Sequence, residues 1–496
     1  MTTPTSTAQA ELMRALEHHK TGRVGEAAEI YRRLIAEDPG NADALHLLGS
    51  IAAQSGDHLE GERLIGSALK IKDDVPLFWS NHGNVLALLG RCDEAIASYE
   101  RAVQLKPDFV EAIYNIGGNL ITAGRAHEAL ERLDAVLASL GSSASGRHIL
   151  TTGRGNALSA LERYEDALAA YDAAIAIAAR NVDAIANRGN VLKQLGRYEE
   201  AIAAFDRALE LVAGHLDSIL GKAHAQILAG EIAAPLAILD RVIKVQPDNA
   251  AAHYIRGHAQ LGSFRTEDAL GSFKRAAELK PELVEAVYNV ADALRALGRR
   301  PEAIETYQRV LDKVPDHAHA LTGMAEAAAY CCDWATQARI RPLVEEKVRQ
   351  GSRGMLPFSF LSLSVSKELQ LLCAQSFTRH TCPEPPVRLP LAAVSQDGGR
   401  KDRRIKLAYL SSDFRRHAMA YQMAELFEIH DRSRFEVIGF SAGPDDASPV
   451  RRRIARAFDA FHDVATSRKE AIARLVHTAG IDIAVDLNGH TMYSPI

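Results

Sequence analysis

The sequence is poor in several features that mark other classes of protein. Its 496 residues include only five cysteines, which fit neither a disulfide framework nor paired metal-binding motifs: Cys92, Cys331, Cys332, Cys373 and Cys382. No apolar stretch approaches the roughly 18 residues of a membrane span, and the N-terminal segment lacks the apolar core of a signal peptide. A net charge of −5 argues against nucleic acid as a partner. We therefore expect a cytoplasmic protein without a bound metal, a cofactor or a membrane contact.

Tryptophan is also scarce, with two residues, whereas alanine is abundant, a balance typical of closely packed helices. The chain is too long for one hydrophobic core, so we expect several domains or an array of repeats. Self-similarity indicates repeats, because the segments 90–108, 196–212 and 298–316 are variants of one pattern. The alanine of that pattern recurs as Ala27, Ala95, Ala129, Ala167, Ala201, Ala269 and Ala303.

The repeating unit is 34 residues long, as between Ala95 and Ala129. An aromatic residue follows most of these alanines by four positions, a glycine lies earlier in the unit, and a proline often closes it. The glycine permits two helices to approach, the alanine lies at their crossing, the aromatic ring fills the gap, and the proline ends the second helix. This pattern matches the tetratricopeptide repeat, a helical hairpin that stacks into an α-solenoid.

The pattern also gives the boundaries of the array. We expect a disordered N-terminus over 1–8, about nine repeats over 9–316, and a degenerate repeat with capping helices over 317–350. The insertion GSSASG at 141–146 lengthens one connection, and Pro235 predicts a late start for the second helix of its repeat. Such an array presents an extended surface for protein partners and can also join copies of the chain into a homo-oligomer.

Asparagines recur on the first helix of several repeats. Asn81 and Asn84 lie three residues apart, hence on one helix face, and Asn187 and Asn190 repeat the pair. Asn115 and Asn289 occupy the first position of the pair in their own repeats. An amide both donates and accepts, so a row of amides on the concave face can bind the backbone of an extended peptide whatever its sequence. The alternative is that asparagine merely tolerates a solvated helix face.

A second domain follows a predicted linker over 351–403, which is rich in proline, glycine and charge. Apolar runs then alternate with helical patterns near 417–430, 448–458 and 467–479; the runs are Ile405–Leu410, Phe435–Phe440, Ala460–Val464 and Ile481–Leu487. This order predicts a parallel, Rossmann-like α/β sheet over 404–496. Ligands of such sheets bind at the carboxyl ends of the strands, where the polar turns SSDFRRH (411–417) and DLNGHT (486–491) lie.

Repeats followed by CDW (332–334), PFSFLSLSVSKELQL (357–371) and these two turns resemble the O-linked N-acetylglucosamine transferase family, which includes SPINDLY-type and bacterial members. The resemblance implies a two-lobed GT-B glycosyltransferase after the repeats. It implies UDP-N-acetylglucosamine as the donor and a serine or threonine hydroxyl of a protein as the acceptor. Residues 404–496 then correspond to an incomplete N-terminal lobe, and we expect this chain alone to have little or no activity.

The resemblance also assigns roles at the two turns. His417 matches a histidine that acts as the catalytic base or contacts the sugar. Apart from the resemblance, Asp413 in the same turn can orient or restrain His417, although an aspartate there also suits a helix N-cap. Asn488 and Thr491 match positions near the sugar and the acceptor, and His490 stands where other members have an aromatic residue. Two alternatives stay open: a non-enzymatic adaptor that binds proteins through its repeats, and a relative that uses GDP-fucose or UDP-glucose.

Overall fold

The computed structural model of the protein describes residues 4–141, 145–352, 354–381, 403–465, 467 and 469–488. The chain forms two compact units, Met1–Lys222 and Ala223–Ile496. No helix among these residues has the length and apolar character needed to cross a membrane.

The first unit is built from antiparallel helical hairpins, and the helix that begins at Leu216 continues into the second unit. The helices are α1 Pro4–Lys20, α2 Val24–Glu37, α3 Ala42–Gln54, α4 His58–Ile71, α5 Pro76–Leu88, α6 Cys92–Leu105, α7 Val110–Thr122, α8 Ala126–Ser139, α9 Arg147–Ala160, α10 Tyr164–Ile177, α11 Val182–Gln194, α12 Tyr198–Leu211 and α13 Leu216–Leu228. Each connection is short, so consecutive helices pack as neighbours.

The packing confirms the mechanical interpretation of the repeat. All seven pattern alanines have no exposed surface. A Cβ added to Gly83 would lie 2.7 Å from the ring of Tyr99, and one added to Gly155 would lie 2.5 Å from the ring of Tyr171. Real Cβ atoms do not approach a ring so closely, so the glycine is what lets the aromatic ring occupy the space between the two helices.

The second unit continues the array with α14 Ala233–Val245, α15 Ala250–Gly262, α16 Thr266–Leu279, α17 Val284–Ala296, α18 Arg300–Lys313, α19 Ala318–Tyr330 and α20 Trp334–Arg349. The late start predicted from Pro235 is observed. The 34-residue spacing from Tyr198 would begin α14 at residue 232, and it begins at Ala233 with Pro235 in its first turn, where no amide hydrogen is needed. The degenerate tenth repeat is a complete hairpin, α19–α20.

Two predicted boundaries are wrong. The N-terminal helix begins at Pro4, so residues 4–8 of the segment expected to be disordered are helical. Residues 351–381 of the expected linker contain α21 Pro357–Phe360 and α22 Lys367–Thr381. Gly351 follows the end of α20, and Pro357 begins α21, so these residues bound helices rather than signal a linker. Phe360, Leu363 and Cys373 are buried in one core with the last repeats. Residues 382–402 lie outside the described part of the chain.

The C-terminal region is the parallel sheet that the sequence predicts. Its elements are β1 Ile405–Ser411, α23 Ala418–Ile429, β2 Phe435–Ser441, α24 Pro449–Ala457, β3 Ala460–Asp463, α25 Lys469–Thr478 and β4 Ile483–Asp486. All pairings are parallel, in the order β3-β2-β1-β4. Phe414, Phe427 and Phe458 pack with α23 and α24 in one core, and Phe440 and Ile472 pack with α25 in another. Helices therefore cover both faces of the sheet.

Candidate functional site

The sheet order creates a crevice at the carboxyl end of β1. The chain leaves β1 toward β2 and β3, then returns to place β4 on the other side of β1. The two connections therefore diverge between β1 and β4, the topological switch point at which open α/β sheets bind ligands. The register continues past β4, since the Leu487 amide donates to the carbonyl of Leu410 at 3.0 Å. The turn after β1 and residue 488 consequently lie side by side.

Asn488 joins these two strand ends. Its Oδ1 accepts a 2.7 Å hydrogen bond from the backbone amide of Ser412, and its Nδ2 donates to Oδ2 of Asp413 at 2.8 Å. Asn488 is 7% exposed and Ser412 is 1% exposed, so both contacts are shielded from solvent. The structure thus gives Asn488 a positioning role, and its direct contact with a sugar stays a prediction.

Asp413 is held from several directions. Its own amide donates to Oγ of Ser411 at 3.0 Å, and its Oδ1 accepts from Arg415 at 3.3 Å. With Asn488 on Oδ2, the carboxylate is fixed within the turn, and its side chain is 14% exposed. The alternative role of Asp413 as a helix N-cap is wrong, because the N-cap of α23 is His417.

His417 lies at the mouth of this crevice with a side chain that is 45% exposed. Its Nδ1 accepts the backbone amide of Met419 at 3.3 Å and lies 3.8 Å from Oδ2 of Asp413. In this arrangement a neutral imidazole carries its proton on Nε2, which makes the exposed nitrogen a donor. For Nε2 to accept a proton instead, Nδ1–H must turn to the Asp413 carboxylate, which the present 3.8 Å separation permits only after a small ring movement.

Arg451 on α24 is a residue that the sequence interpretation missed. Its side chain is 6% exposed and forms ion pairs with Asp445 at 2.9 Å and with Asp463 at 2.7 Å. It also donates to the carbonyl of Phe414 at 3.1 Å and to Oγ of Ser441 at 2.8 Å. One guanidinium therefore binds groups at or just after the carboxyl ends of β1, β2 and β3. In the sequence it is the first of three consecutive arginines, which suggests a solvated face, and only burial distinguishes it.

The loop after β2 closes against the same turn. A Cβ on Gly443 would lie 1.9 Å from the carbonyl oxygen of Ser412, so no other residue fits there. The backbone amide of Arg416 donates to Oδ2 of Asp446 at 2.7 Å. Burial would raise the pKa of Asp446, but hydrogen bonds from the amide of Arg416 and from Ser448 outweigh it and keep this pKa below its usual value. The backbone immediately before His417 is therefore anchored to the loop after β2.

The remaining predicted residues of this site, His490 and Thr491, lie outside the described part of the chain. Within the described part, no group of three or more histidine, cysteine, aspartate or glutamate side chains could hold a metal ion.

The asparagines of the first unit form inter-repeat contacts. Nδ2 of Asn115 donates to Oδ1 of Asn84, one repeat earlier, at 3.1 Å, and the hydroxyl of Tyr99 donates to the same oxygen at 2.7 Å. Nδ2 of Asn81 lies 2.9 Å from Nε2 of His46, again one repeat earlier. The oxygen of Asn84 is thus occupied, whereas its Nδ2 has only a 3.5 Å contact with Asn81. The exposed Asn84 amide can still donate to a peptide carbonyl.

The same arrangement recurs with a residue that the sequence interpretation missed, Asn156. Its Oδ1 accepts from Asn187 at 2.9 Å and from Tyr171 at 2.8 Å. Asn156 stands 34 residues before Asn190 but 72 residues after Asn84, four more than two repeats. The four extra residues are the insertion near 141–146, which shifts Asn156 out of a fixed 34-residue register with Asn84. Asn190 accepts from Lys193 at 3.2 Å.

Asn289, in the second unit, differs from this row. It is 9% exposed, and its Nδ2 lies 3.4 Å from Nε2 of His258. At the position of Asn84, the repeats of this unit carry His224, His258, Asp292 and Glu326, each 34 residues after the last. Asn289 is therefore placed as an inter-repeat contact rather than as an exposed amide.

Comparison with known proteins separates the two parts of the chain. Residues 385–494 match the model of glycosyl transferase family 41. Tetratricopeptide-repeat models match residues 18–82, 67–118, 182–212, 220–284 and 260–327. The chain therefore contains tetratricopeptide repeats followed by a region similar to glycosyl transferase family 41. Asp413, His417 and Asn488 lie within the family 41 match.

Individual relatives cover shorter stretches. The probable UDP-N-acetylglucosamine–peptide N-acetylglucosaminyltransferase SEC of Arabidopsis thaliana is 29% identical over 176 residues, which are 32% of this chain and 17% of that protein. The corresponding transferase of Caenorhabditis elegans is 27% identical over 105 residues, 21% of this chain and 9% of the relative. The chain thus matches less than a fifth of the length of either transferase.

One receptor protein and one solved structure are also similar to parts of the chain. The peroxisomal targeting signal receptor of Candida glabrata is 36% identical over 98 residues, 20% of this chain and 16% of the receptor. A mutant O-GlcNAc transferase from Thermobaculum terrenum has a solved structure that is 24% identical and covers 57% of this chain and 48% of that one. The TM-score of this comparison is 0.34.

Proposed function

We propose that this protein is a protein O-glycosyltransferase that moves N-acetylglucosamine from UDP-N-acetylglucosamine to a serine or threonine hydroxyl of a client protein held by the repeats. The observation that carries this proposal is the meeting of His417, Asp413 and Asn488 at the switch point of a sheet that matches a glycosyltransferase family. We place it in the cytoplasm, without a metal or a cofactor.

In the proposed reaction the acceptor oxygen forms a bond to the anomeric carbon while the bond from that carbon to the phosphate oxygen breaks. UDP leaves with the electron pair, and the hydroxyl proton must pass to a base or to the departing phosphate. A hydroxyl is a weak nucleophile, so a well-placed proton acceptor or donor contributes roughly 10² to 10⁴ in rate. With Nδ1 capping α23, His417 offers Nε2–H to a sugar or phosphate oxygen. With Nδ1–H turned to Asp413, the same residue is the base.

The experiment measures transfer of labelled sugar by the natural gene product to protein acceptors. UDP-N-acetylglucosamine is compared with UDP-glucose and GDP-fucose, and we expect transfer only from the first. The variant His417→Ala should lose at least about a hundredfold in turnover. The exposed His477 on α25 is the matched control, and His477→Ala should keep full activity. Full turnover in His417→Ala would remove His417 from the mechanism, and no transfer from any donor would favour an adaptor.

The repeats supply the client-binding half of this proposal. We propose that Asn84, Asn156 and Asn190 donate from their amides to carbonyl groups of an extended peptide, and that Asn81, Asn115 and Asn187 hold that row in place. Asn289 contributes the equivalent inter-repeat contact in the second unit.

Because backbone contacts carry no sequence preference, replacing Asn84 and Asn190 by alanine should weaken the binding of peptides of unrelated sequence by the same factor. A net hydrogen bond contributes about 1 kcal/mol, so the double variant should bind roughly thirtyfold more weakly. Fluorescence anisotropy with labelled peptides measures this. Asn119, which bonds to the Asn115 carbonyl of its own helix, is the control position. A loss confined to one peptide sequence would contradict backbone recognition.

A further inference from the structure

The second unit contains a cavity of about 570 Å³ in its last repeats. It lies beside α15, α17 and α19 and is closed by residues 354–359 and by α22. Much of its wall is apolar, including Leu261, Phe264, Tyr288, Met355, Leu356 and Phe377. Its volume falls in the range of roughly 300–1,000 Å³ that holds drug-sized ligands, so it admits a short stretch of peptide.

Three charged side chains also line this cavity: Asp292, Arg295 and Glu326. Arg295 binds Asp292 at 2.6 Å and Glu326 at 3.2 Å, and its side chain is 14% exposed. Two carboxylates share one guanidinium, so the cluster carries one excess negative charge. Oδ2 of Asp292 and Oε1 of Glu326 make no hydrogen bond to any residue that the structure describes. The excess charge therefore has free acceptor atoms.

The other basic group on the wall, His319, does not cancel this charge. Burial lowers the pKa of His319, with His317 nearby lowering it further, so the imidazole is neutral at neutral pH. Apolar walls beside a partly buried anion suit a side chain with a long hydrocarbon stem and a cationic end, because the stem packs on the wall while the end reaches the carboxylates.

The repeat register connects this cavity with peptide binding. Asp292 and Glu326 occupy the position that Asn84, Asn156 and Asn190 occupy in the first unit. In the first unit this position offers neutral amides to a peptide backbone, whereas in the second unit it offers carboxylates. A change of side-chain chemistry at one structural position, combined with a cavity, is expected where a protein selects a side chain rather than a backbone group.

We propose that this cavity is a specificity pocket that takes a lysine or arginine side chain of the client segment, with Glu326 and Asp292 as its anionic end. The inference rests on the client-binding half of the proposed function and is independent of sugar transfer.

The test uses the whole chain and two matched sets of short labelled peptides. One set carries a single lysine moved through an alanine–serine background, and the other carries acetyl-lysine at the same places, which keeps the stem and removes the charge. We expect one lysine position to bind about tenfold more tightly than its acetylated twin, a preference that weakens in high salt. In Glu326→Gln the twins should bind alike, while the exposed Glu305→Gln on α18 should preserve the preference.

The outcomes separate the two proposals. Equal binding of the twins by the unaltered protein, or a preference that survives Glu326→Gln, overturns the pocket and leaves the asparagine row intact. Tighter binding of acetyl-lysine shows a purely apolar site and also overturns it. Both proposals are supported if the unaltered protein distinguishes the twins and Asn84→Ala/Asn190→Ala binds all peptides roughly thirtyfold more weakly. Both are overturned if the unaltered protein binds no peptide. Circular dichroism of Glu326→Gln checks that the helical hairpins stay folded.

Discussion

Replacing Arg451 by methionine should loosen the turn that carries Asp413 and His417, although Arg451 itself lies on α24. Methionine keeps much of the stem volume and removes the guanidinium. The side chain is 6% exposed, so its hydrogen-bond partners lose a donor in a place that water reaches poorly. The change is therefore a test of whether one buried cation joins the ends of the first three strands.

The magnitude follows from what each partner does without the arginine. The carboxylates of Asp445 and Asp463 are 63% and 51% exposed, so both recover hydration and contribute little to the cost. The carbonyl of Phe414 and the hydroxyl of Ser441 belong to residues without exposed surface. Each unsatisfied buried group costs about 1–3 kcal/mol, and an entering water offsets part of this. The sum is about 2–4 kcal/mol.

Both tryptophans, Trp79 and Trp334, lie outside the sheet, so tryptophan fluorescence does not report on the turn. Hydrogen exchange of the backbone amides in 407–415 measures the loss of local stability instead. A cost of about 2–4 kcal/mol raises the exchange rate roughly 30- to 900-fold. Arg451→Lys should give a smaller rise, since an ammonium cannot reach four acceptors at once. Arg456 on the same helix is exposed, and Arg456→Met should leave exchange unchanged. Unchanged exchange in Arg451→Met would refute the idea that this cation holds the turn.

Two further predictions concern the repeats. Gly83→Ala should destabilise the first unit by about 1–3 kcal/mol in urea unfolding, because its Cβ would meet the Tyr99 ring at 2.7 Å. Gly118→Ala, whose Cβ would have no atom within 4 Å, should stabilise the unit by up to about 1 kcal/mol. Equal effects of the two variants would contradict the packing argument. Burial lowers the pKa of His46 from 6.5 to about 4. Between these two pH values the unfolded chain binds more protons than the folded chain does, so the free energy of unfolding should fall by about 3 kcal/mol as the pH drops from 6.5 to 4. His46→Gln should remove this acid sensitivity in Trp79 fluorescence, and an unchanged pH profile would be evidence against it.

The secondary structure of the C-terminal region was predictable to within a residue or two. Strands buried on both faces are continuous apolar runs, and polar turns end them sharply, so Phe435–Phe440 differs from the observed β2 by one residue. The repeats were predictable because the same packing arrangement recurs along the chain with the same pattern of glycine, alanine and aromatic residues. The segment 351–381 was not, because Pro357 interrupts the pattern in the sequence but is the first residue of a short helix in the structure.

The connections within the site were not predictable in the same way. Asn488 and Asp413 are 75 residues apart, and nothing in either turn states that β4 lies beside β1 rather than beyond β3. Arg451 has the sequence context of a surface arginine, and only the positions of Asp445, Asp463 and Phe414 in space make it central. Sequence identifies which groups stand at strand ends, and the spatial order of strands decides which of them meet.

The geometry of the turn explains why these connections matter more to His417 than its own contacts do. The histidine is half-exposed and makes one long hydrogen bond to the amide of Met419, at 3.3 Å, so little fixes its ring directly. Hydrogen bonds fix the backbone before His417 from both neighbouring strands. Asn488, after β4, binds the amide of Ser412, and Asp446, in the loop after β2, binds the amide of Arg416. Arg451 binds the carbonyl of Phe414 between them. A ring that is free to turn on a fixed backbone can exchange its Nδ1 partner between Met419 and Asp413, and that exchange decides whether Nε2 donates or accepts a proton. The position of His417 therefore depends on the surrounding strand ends, whereas the orientation of its ring, and with it the choice between donor and acceptor at Nε2, depends on which of the two groups binds Nδ1.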